Sequence, residues 1–105
     1  MNEYNPDGWI ILKIDQEQGS MYRVFGSWSG GFFTGDSWRM NSGITSIKEE
    51  DDYYKLYGYS GSVYNCYKGR EGIVGVFNRG QLYEFFQQEG VSEISFDEFR
   101  EEFCL

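Results

Sequence analysis

Up to residue 77, apolar and polar positions follow one another with a period of two; beyond it the spacing changes to three and four. A period of two puts successive side chains on opposite faces of a strand. Gly8–Asp15 places Ile10, Leu12 and Ile14 on one face and Trp9 and Ile11 on the other, which describes a strand buried on one side and sheltered on the second. Gln16–Gly19 turns the chain, Met21–Trp28 reads as a second strand of β-favouring residues, and Ser29–Gly31 as a loop. A third strand is predicted over Ser37–Asn41. The alternation breaks across Gly43, which marks a bulge or kink before Ile44–Lys48. Glu49–Asp52, four consecutive acids, must be a solvent-exposed turn. Tyr53–Tyr59 and Ser62–Lys68 form a hairpin across Ser60–Gly61, in a register that opposes Tyr57 to Tyr64. A turn over Lys68–Gly72 then leads into a short apolar strand, Ile73–Phe77.

The second grammar is helical. Asn78, with Gln81 three residues on, is read as the cap of a helix over about 79–89 whose apolar stripe is Leu82, Phe85 and Phe86, ended by Gly90. Ser95-Phe96-Asp97-Glu98 has the capping-box pattern and opens a helix over about 95–103. Phe96, Phe99 and Phe103 share one face of it. Strands over about 8–77 followed by helices predict an α+β fold. The expected form is an antiparallel β-sheet of about five to six strands followed by two short C-terminal helices, in a single domain spanning 1–105.

Composition strengthens the sheet reading. Nine Tyr, nine Phe and three Trp make up a fifth of the chain, and there is no Ala, the best helix former. The core must therefore be aromatic, and such a chain is a poor candidate for disorder. Cys66 and Cys104 lie too far apart and are too few for a disulfide-stapled secreted domain, so both are read as free thiols in a reducing compartment. The opening Met1-Asn2-Glu3-Tyr4 has neither the basic start nor the apolar run of a signal peptide. The longest apolar run, Trp9–Leu12, is far short of a membrane span, and Phe103-Cys104-Leu105 is not a prenylation box. The expected location is cytoplasmic, with no membrane partner.

Charge adds a direction. The net charge is −8, and residues 78–105 carry seven acids and two bases, a net of −5. Such a field repels a phosphate backbone and attracts a basic surface, so a basic protein is the expected partner and direct nucleic-acid binding is disfavoured.

Most catalytic chemistry is excluded by what the chain lacks. Without a histidine there is no Ser-His-Asp or Cys-His nucleophile, no common zinc site and no imidazole base. Gly26-Ser27-Trp28-Ser29-Gly30-Gly31 is glycine-rich but is followed by no Lys-Ser/Thr, so it is not a phosphate-binding P-loop. Glu49–Asp52 lacks the alternating ligands of an EF-hand. Carboxylates and tyrosines are the remaining acid–base material, and no spacing singles out two acids for glycosidase-type work. Sheet aromatics could stack on single-stranded nucleic acid if Lys13, Arg23, Arg39, Lys55, Lys68 and Arg70 shared a face with them. Otherwise they fill the core and form a protein-binding patch. Glu84, Asp97, Glu98, Glu101 and Glu102 are expected on outward helix faces, with Glu89 and Glu93 in the connection, as a docking surface for a basic partner; Trp28 on the sheet is the rival surface. No catalytic, cofactor-binding or metal-binding residue is assigned.

Three segments, Gly26–Gly31, Ser37-Trp38-Arg39-Met40-Asn41-Ser42-Gly43-Ile44 and Tyr57-Gly58-Tyr59-Ser60-Gly61-Ser62-Val63-Tyr64, resemble small accessory proteins of tailed bacteriophages and their prophages. The resemblance covers about the central third of the chain and brings no catalytic residues. It implies a small acidic protein that binds and redirects or inhibits a basic host protein in the host cytoplasm. Two other readings stay open: a bacterial immunity protein against a toxic nuclease, and a small enzyme using carboxylates and tyrosines.

Overall fold

The computed structural model describes residues 2–30 and 35–104. Among these residues, eight strands and two α-helices follow one another as β1 (Glu3–Tyr4), β2 (Gly8–Gln16), β3 (Gly19–Trp28), β4 (Ser37–Met40), β5 (Ile44–Glu49), β6 (Tyr53–Gly58), β7 (Val63–Tyr67), α1 (Val76–Phe86), β8 (Val91–Ile94) and α2 (Phe96–Phe103). The class is α+β, but the strands form two four-stranded sheets, ordered β4-β3-β2-β8 and β1-β7-β6-β5, rather than one sheet of five or six. The loop expected at Ser29–Gly31 runs into residues 31–34, which lie outside the described residues.

β2 explains why the sheets stack. Its Trp9, Ile10, Ile11 and Leu12 are all essentially inaccessible. Ile10 and Leu12 pack with Phe25 and with Leu82 of α1. Trp9 and Ile11 pack the other way, with Leu56, Tyr64 and Cys66 of the second sheet and Phe96 and Phe99 of α2. A strand with an apolar layer on each side reads as a continuous apolar run, and each such side chain contributes about 1.5–3 kcal/mol on burial. The two helices thus lie on opposite faces of the first sheet. The chain returns tightly across the start of β2: Gly72 N–H donates to Trp9 O at 2.7 Å, and Trp9 Nε1–H donates to Tyr67 O at 2.8 Å.

The β6–β7 hairpin differs from expectation by one residue. Its loop holds three residues: Gly58 N–H donates to Ser62 O across it, and Gly61 takes φ +89°, which favours glycine. An odd loop shifts the register, so Tyr57 faces Val63 and Leu56 faces Tyr64. The aromatic cross-strand pair is instead Tyr53–Tyr67, with ring centroids 5.2 Å apart. The irregularity near Gly43 is present: Gly43 has φ +136°, and the β5–β6 register slips between Ile44 and Ser46.

The junction after the hairpin also departs from the sequence reading. Ile73–Phe77 is not a strand; Val76 and Phe77 already belong to α1, which runs three residues earlier than expected at each end. Gly75 occupies the N-cap position and has no side chain with which to cap the helix. Asn78 is buried, and its Nδ2–H donates to Ser27 Oγ at 2.8 Å and Ser37 O at 2.7 Å, binding α1 to β3 and β4. Leu82, Phe85 and Phe86 do face the sheet. Glu93 is not in a loop but in β8, which pairs antiparallel with β2 through Ile11↔Ile94 and Ile14↔Val91. The capping box is as expected, with Ser95 Oγ accepting from Glu98 N–H at 3.2 Å, and Phe96, Phe99 and Phe103 all pack inward.

Candidate functional site

Asp97, Glu98, Glu101 and Glu102 are exposed on α2. They are not equivalent. Glu98 closes the capping box against Ser95. Glu102 Oε1 accepts from Lys13 Nζ at 2.8 Å and from the Tyr22 hydroxyl at 2.6 Å. Those two bonds, Lys13 first, hold the Glu102 carboxyl below the ordinary glutamate range, and the Lys13 ammonium is raised in turn. Arg100, the base of this helix, turns back to Glu49 Oε1 at 3.2 Å and over the rings of Tyr54 and Phe96 at 5.0 and 5.1 Å. Asp97 and Glu101 are left as exposed acids outside the hydrogen bonds and ion pairs of the described residues. Glu84 is exposed on α1, across the first sheet from α2, so the acidic set divides between two surfaces.

The other face of α1 has a different character. Val76, Phe77 and Tyr83 are 84%, 82% and 65% exposed, large apolar residues on the side opposite the Leu82 stripe. The sequence reads Val76 and Phe77 as the end of a short apolar strand, Ile73–Phe77, whereas both are exposed in the first turn of α1.

The six bases considered for a nucleic-acid platform do not gather on one face. Lys13 pairs with Glu102, Lys55 with Glu3 at 2.7 Å, and Lys68 with Glu49 at 2.7 Å. Arg70 Nη1 lies 3.4 Å from the Asp7 carbonyl. Arg23 and Arg39, which have no carboxylate partner among the described residues, line one cleft of about 720 Å³.

That cleft is built from four separate stretches: Asn2 and Tyr4 at the start, Arg23 on β3, Arg39–Ser42 at the end of β4 and just beyond it, and the hairpin tip Ser60–Ser62 with Tyr64 behind it. Among the described residues, no carboxylate lines it. The Arg39 guanidinium stacks over the Tyr4 ring at 4.6 Å, and Arg23 Nε–H donates to Asn41 O at 2.6 Å. Asn41 is buried and grips β3 twice: its N–H donates to Val24 O, and its Oδ1 accepts from Val24 N–H at 2.9 Å. Its Nδ2, by contrast, has no hydrogen-bond partner among the described residues. Gly58 supplies the space beside it. A Cβ there would stand 3.2 Å from Asn41 Nδ2, 3.3 Å from Ser62 Oγ and 3.4 Å from Ser42 Oγ, so three polar atoms converge on one point. Ser42 Oγ in turn accepts from Ser60 N–H at 2.9 Å. Burial pushes the Tyr64 phenol up to about 12, so it is neutral at physiological pH. Guanidinium, amide and hydroxyl groups can hold an anion, but they supply no general base at neutral pH.

A second recess of about 490 Å³ shares Tyr4 and Arg39 with the cleft and adds Trp28. Trp28, the rival surface residue of the sequence reading, is half-buried; its Nε1–H donates to Asn5 O at 3.1 Å and its ring meets Tyr4 edge-on at 6.4 Å.

Among the described residues there is no group of three or more side chains arranged to hold a metal ion, and no helix is long and apolar enough to cross a membrane. Against models of protein families, curated proteins and solved structures, the chain has no match.

Proposed function

We propose that this chain is a non-enzymatic binding protein that docks a basic protein partner, acting in the cytoplasm as the phage accessory proteins it resembles do. The observation that carries this reading is the outward side of α1. A helix that already buries Leu82, Phe85 and Phe86 exposes Val76, Phe77 and Tyr83 on its other side, with the exposed Glu84 beside them. Large apolar residues ringed by polar ones are the usual make-up of a protein-binding surface. A net charge of −8 adds long-range attraction for a basic partner and speeds its encounter.

A second reading puts the partner on α2. It is favoured by Arg100, which folds back onto Glu49, Tyr54 and Phe96 and leaves Asp97 and Glu101 with no positive neighbour on their own helix. Affinity capture from host lysate followed by a salt series on the captured partner separates the two. Phe77→Ser with Tyr83→Ser should abolish capture and leave the unfolding midpoint unchanged. If Asp97→Lys with Glu101→Lys abolishes capture while the α1 variant binds normally, the site moves to α2. If neither pair weakens capture, the reading fails on both surfaces.

A further inference from the structure

We propose that the cleft between Arg23, Arg39 and the Ser60–Ser62 hairpin tip is a binding site for the phosphate group of a small phosphorylated molecule. The first reason is charge. The chain carries seventeen acids against nine bases, yet the two guanidinium groups that meet in this cleft have no carboxylate partner among the described residues, and no carboxylate lines the walls. Elsewhere Lys13, Lys48, Lys55, Lys68 and Arg100 are each paired with an acid, while Arg70 and Arg79, which donate to backbone carbonyls, do not share a cleft with each other. Two uncompensated positive charges in one cleft match a dianion.

The second reason is independent of charge. Asn41 Nδ2 is a buried donor with no partner among the described residues, and leaving such a group unpaired costs about 1–3 kcal/mol. It faces the space beside Gly58 together with Ser62 Oγ; Ser42 Oγ, also there, already donates its proton to Ser60 Oγ at 3.3 Å. Any side chain at residue 58 would fill that space. Donors that approach from several directions suit a tetrahedral anion with several oxygens better than a planar carboxylate with two, and arginine's planar fork is suited to phosphate.

The third reason is shape. The volume, about 720 Å³, lies within the ~300–1,000 Å³ typical of small-molecule sites. The neighbouring recess, walled by Tyr4, Trp28, Trp38 and Arg39 and by Glu3, whose carboxylate is paired with Lys55, gives an aromatic-lined space for the rest of a phosphate ester. The cleft shares no residue with α1 or α2, so the site stands whether or not either helix docks a protein.

The test is a titration of uniformly ¹⁵N-labelled protein followed by amide chemical shifts. Three probes are used: inorganic phosphate, adenosine monophosphate, and adenosine as the phosphate-free control. Both phosphate-bearing probes should shift the amides of Ser42, Ser60, Gly61 and Ser62, and adenosine should not. Tighter binding of the nucleotide than of phosphate assigns an ester as the ligand, and equal binding assigns free phosphate; either sustains the site. Arg39→Gln should weaken binding by roughly tenfold or more, Arg39→Lys should recover part of it, and Lys68→Gln, outside the cleft, should bind as the parent does. Gly58→Ala, which fills the point of convergence without touching either arginine, should also lose binding. The proposal is overturned if no cleft amide shifts with either phosphate probe at about 10 mM, well above a millimolar dissociation constant. It is equally overturned if Arg39→Gln, folded as judged by its spectrum, binds as the parent does.

Discussion

The Tyr22 hydroxyl donates to Glu102 Oε1 at 2.6 Å, and this bond fastens the last turn of α2 to β3. Lys13 on β2 holds the same oxygen at 2.8 Å. Glu102 is therefore an anchor, unlike Asp97 and Glu101 on the same helix. Glu102→Lys would set a cation against Lys13 and strip Tyr22 of its acceptor, so its thermal midpoint should fall clearly below that of the parent. Glu101→Lys should melt with the parent, and Asp97→Lys only slightly below it, because Asp97 lies in the first turn of α2 where an acid suits the helix dipole. Equal midpoints for all three would show that the Tyr22–Glu102 bond has no structural role.

Phe99 is fully buried and touches the rings of Tyr22, Phe96 and Phe103 at centroid distances of 5.1, 5.7 and 5.1 Å. Phe99→Ala should cost about 3–5 kcal/mol, and Phe103→Ala less because Phe103 is only partly buried. Urea unfolding at constant m-value checks both figures. A chain ending after Ser92 should lose cooperative unfolding altogether, since it lacks Ile94 as well as the phenylalanine stripe.

Alkali should destabilise the protein through its buried acids, Tyr64 and Cys66 foremost. Burial pushes the Tyr64 phenol from 10.0 to about 12 and the Cys66 thiol well above 9.0. The folded chain therefore keeps protons that the unfolded chain releases, and stability falls wherever the unfolded state binds fewer protons. Their contribution is whole below about pH 9 and declines as pH rises toward 12. Cys66→Ala should move the onset of this decline to higher pH, toward that set by Tyr64; an unshifted onset would remove the thiol from the account.

The sequence showed the period-two strands and the Ser95 capping box because both are local patterns. What it did not show depends on the parity of loops or on distant partners. The Tyr57–Tyr64 pairing failed because three loop residues, with Gly61 at φ +89°, stand where two or four were counted. β8 escaped notice because four residues with two apolar positions have no periodicity of their own; it is a strand because β2 offers it an edge. The Arg23–Arg39 cleft was invisible for a similar reason. Its walls come from stretches around residues 2, 23, 40 and 61, and no spacing along the chain relates them.

Asn78 illustrates the same point with an energetic consequence. The polar residue that resembles a cap is a buried bridge to Ser27 Oγ and the Ser37 carbonyl. Asn78→Ala should cost about 1–3 kcal/mol, because it leaves acceptors without a donor in a water-poor site. Loss of a helix cap would instead cost about 1 kcal/mol and would be rescued by Asp or Ser. Asn78→Asp should be no better than Ala, since a carboxylate cannot donate to either oxygen. Full rescue by Asp in an unfolding series would restore the capping role.

Gly8 sets a hard constraint on the chain. A Cβ at this position would stand 1.7 Å from the carbonyl oxygen of Ile73 and 2.6 Å from its carbonyl carbon. The obstacle is backbone, so no rotamer change relieves it. Moving the segment would pull on the Gly72 N–H···O=C Trp9 bond and on the parallel bridge between Trp9 and Glu71. Trp9 would be drawn from its place against Phe96, where the ring centroids are 5.6 Å apart. Gly8→Ala should therefore destabilise at or beyond the upper end of the ~1–3 kcal/mol typical of overpacking. Gly69 is the control. Nothing lies within 4 Å of a Cβ there and its φ is not positive, so Gly69→Ala should be neutral or stabilise by about 0.4–1 kcal/mol through the unfolded chain. Denaturant unfolding of the two variants beside the parent is sufficient. If Gly8→Ala unfolds at the parent's midpoint, the Ile73 segment does not lie against β2 as described, and the tight return of the chain onto Trp9 must be redrawn.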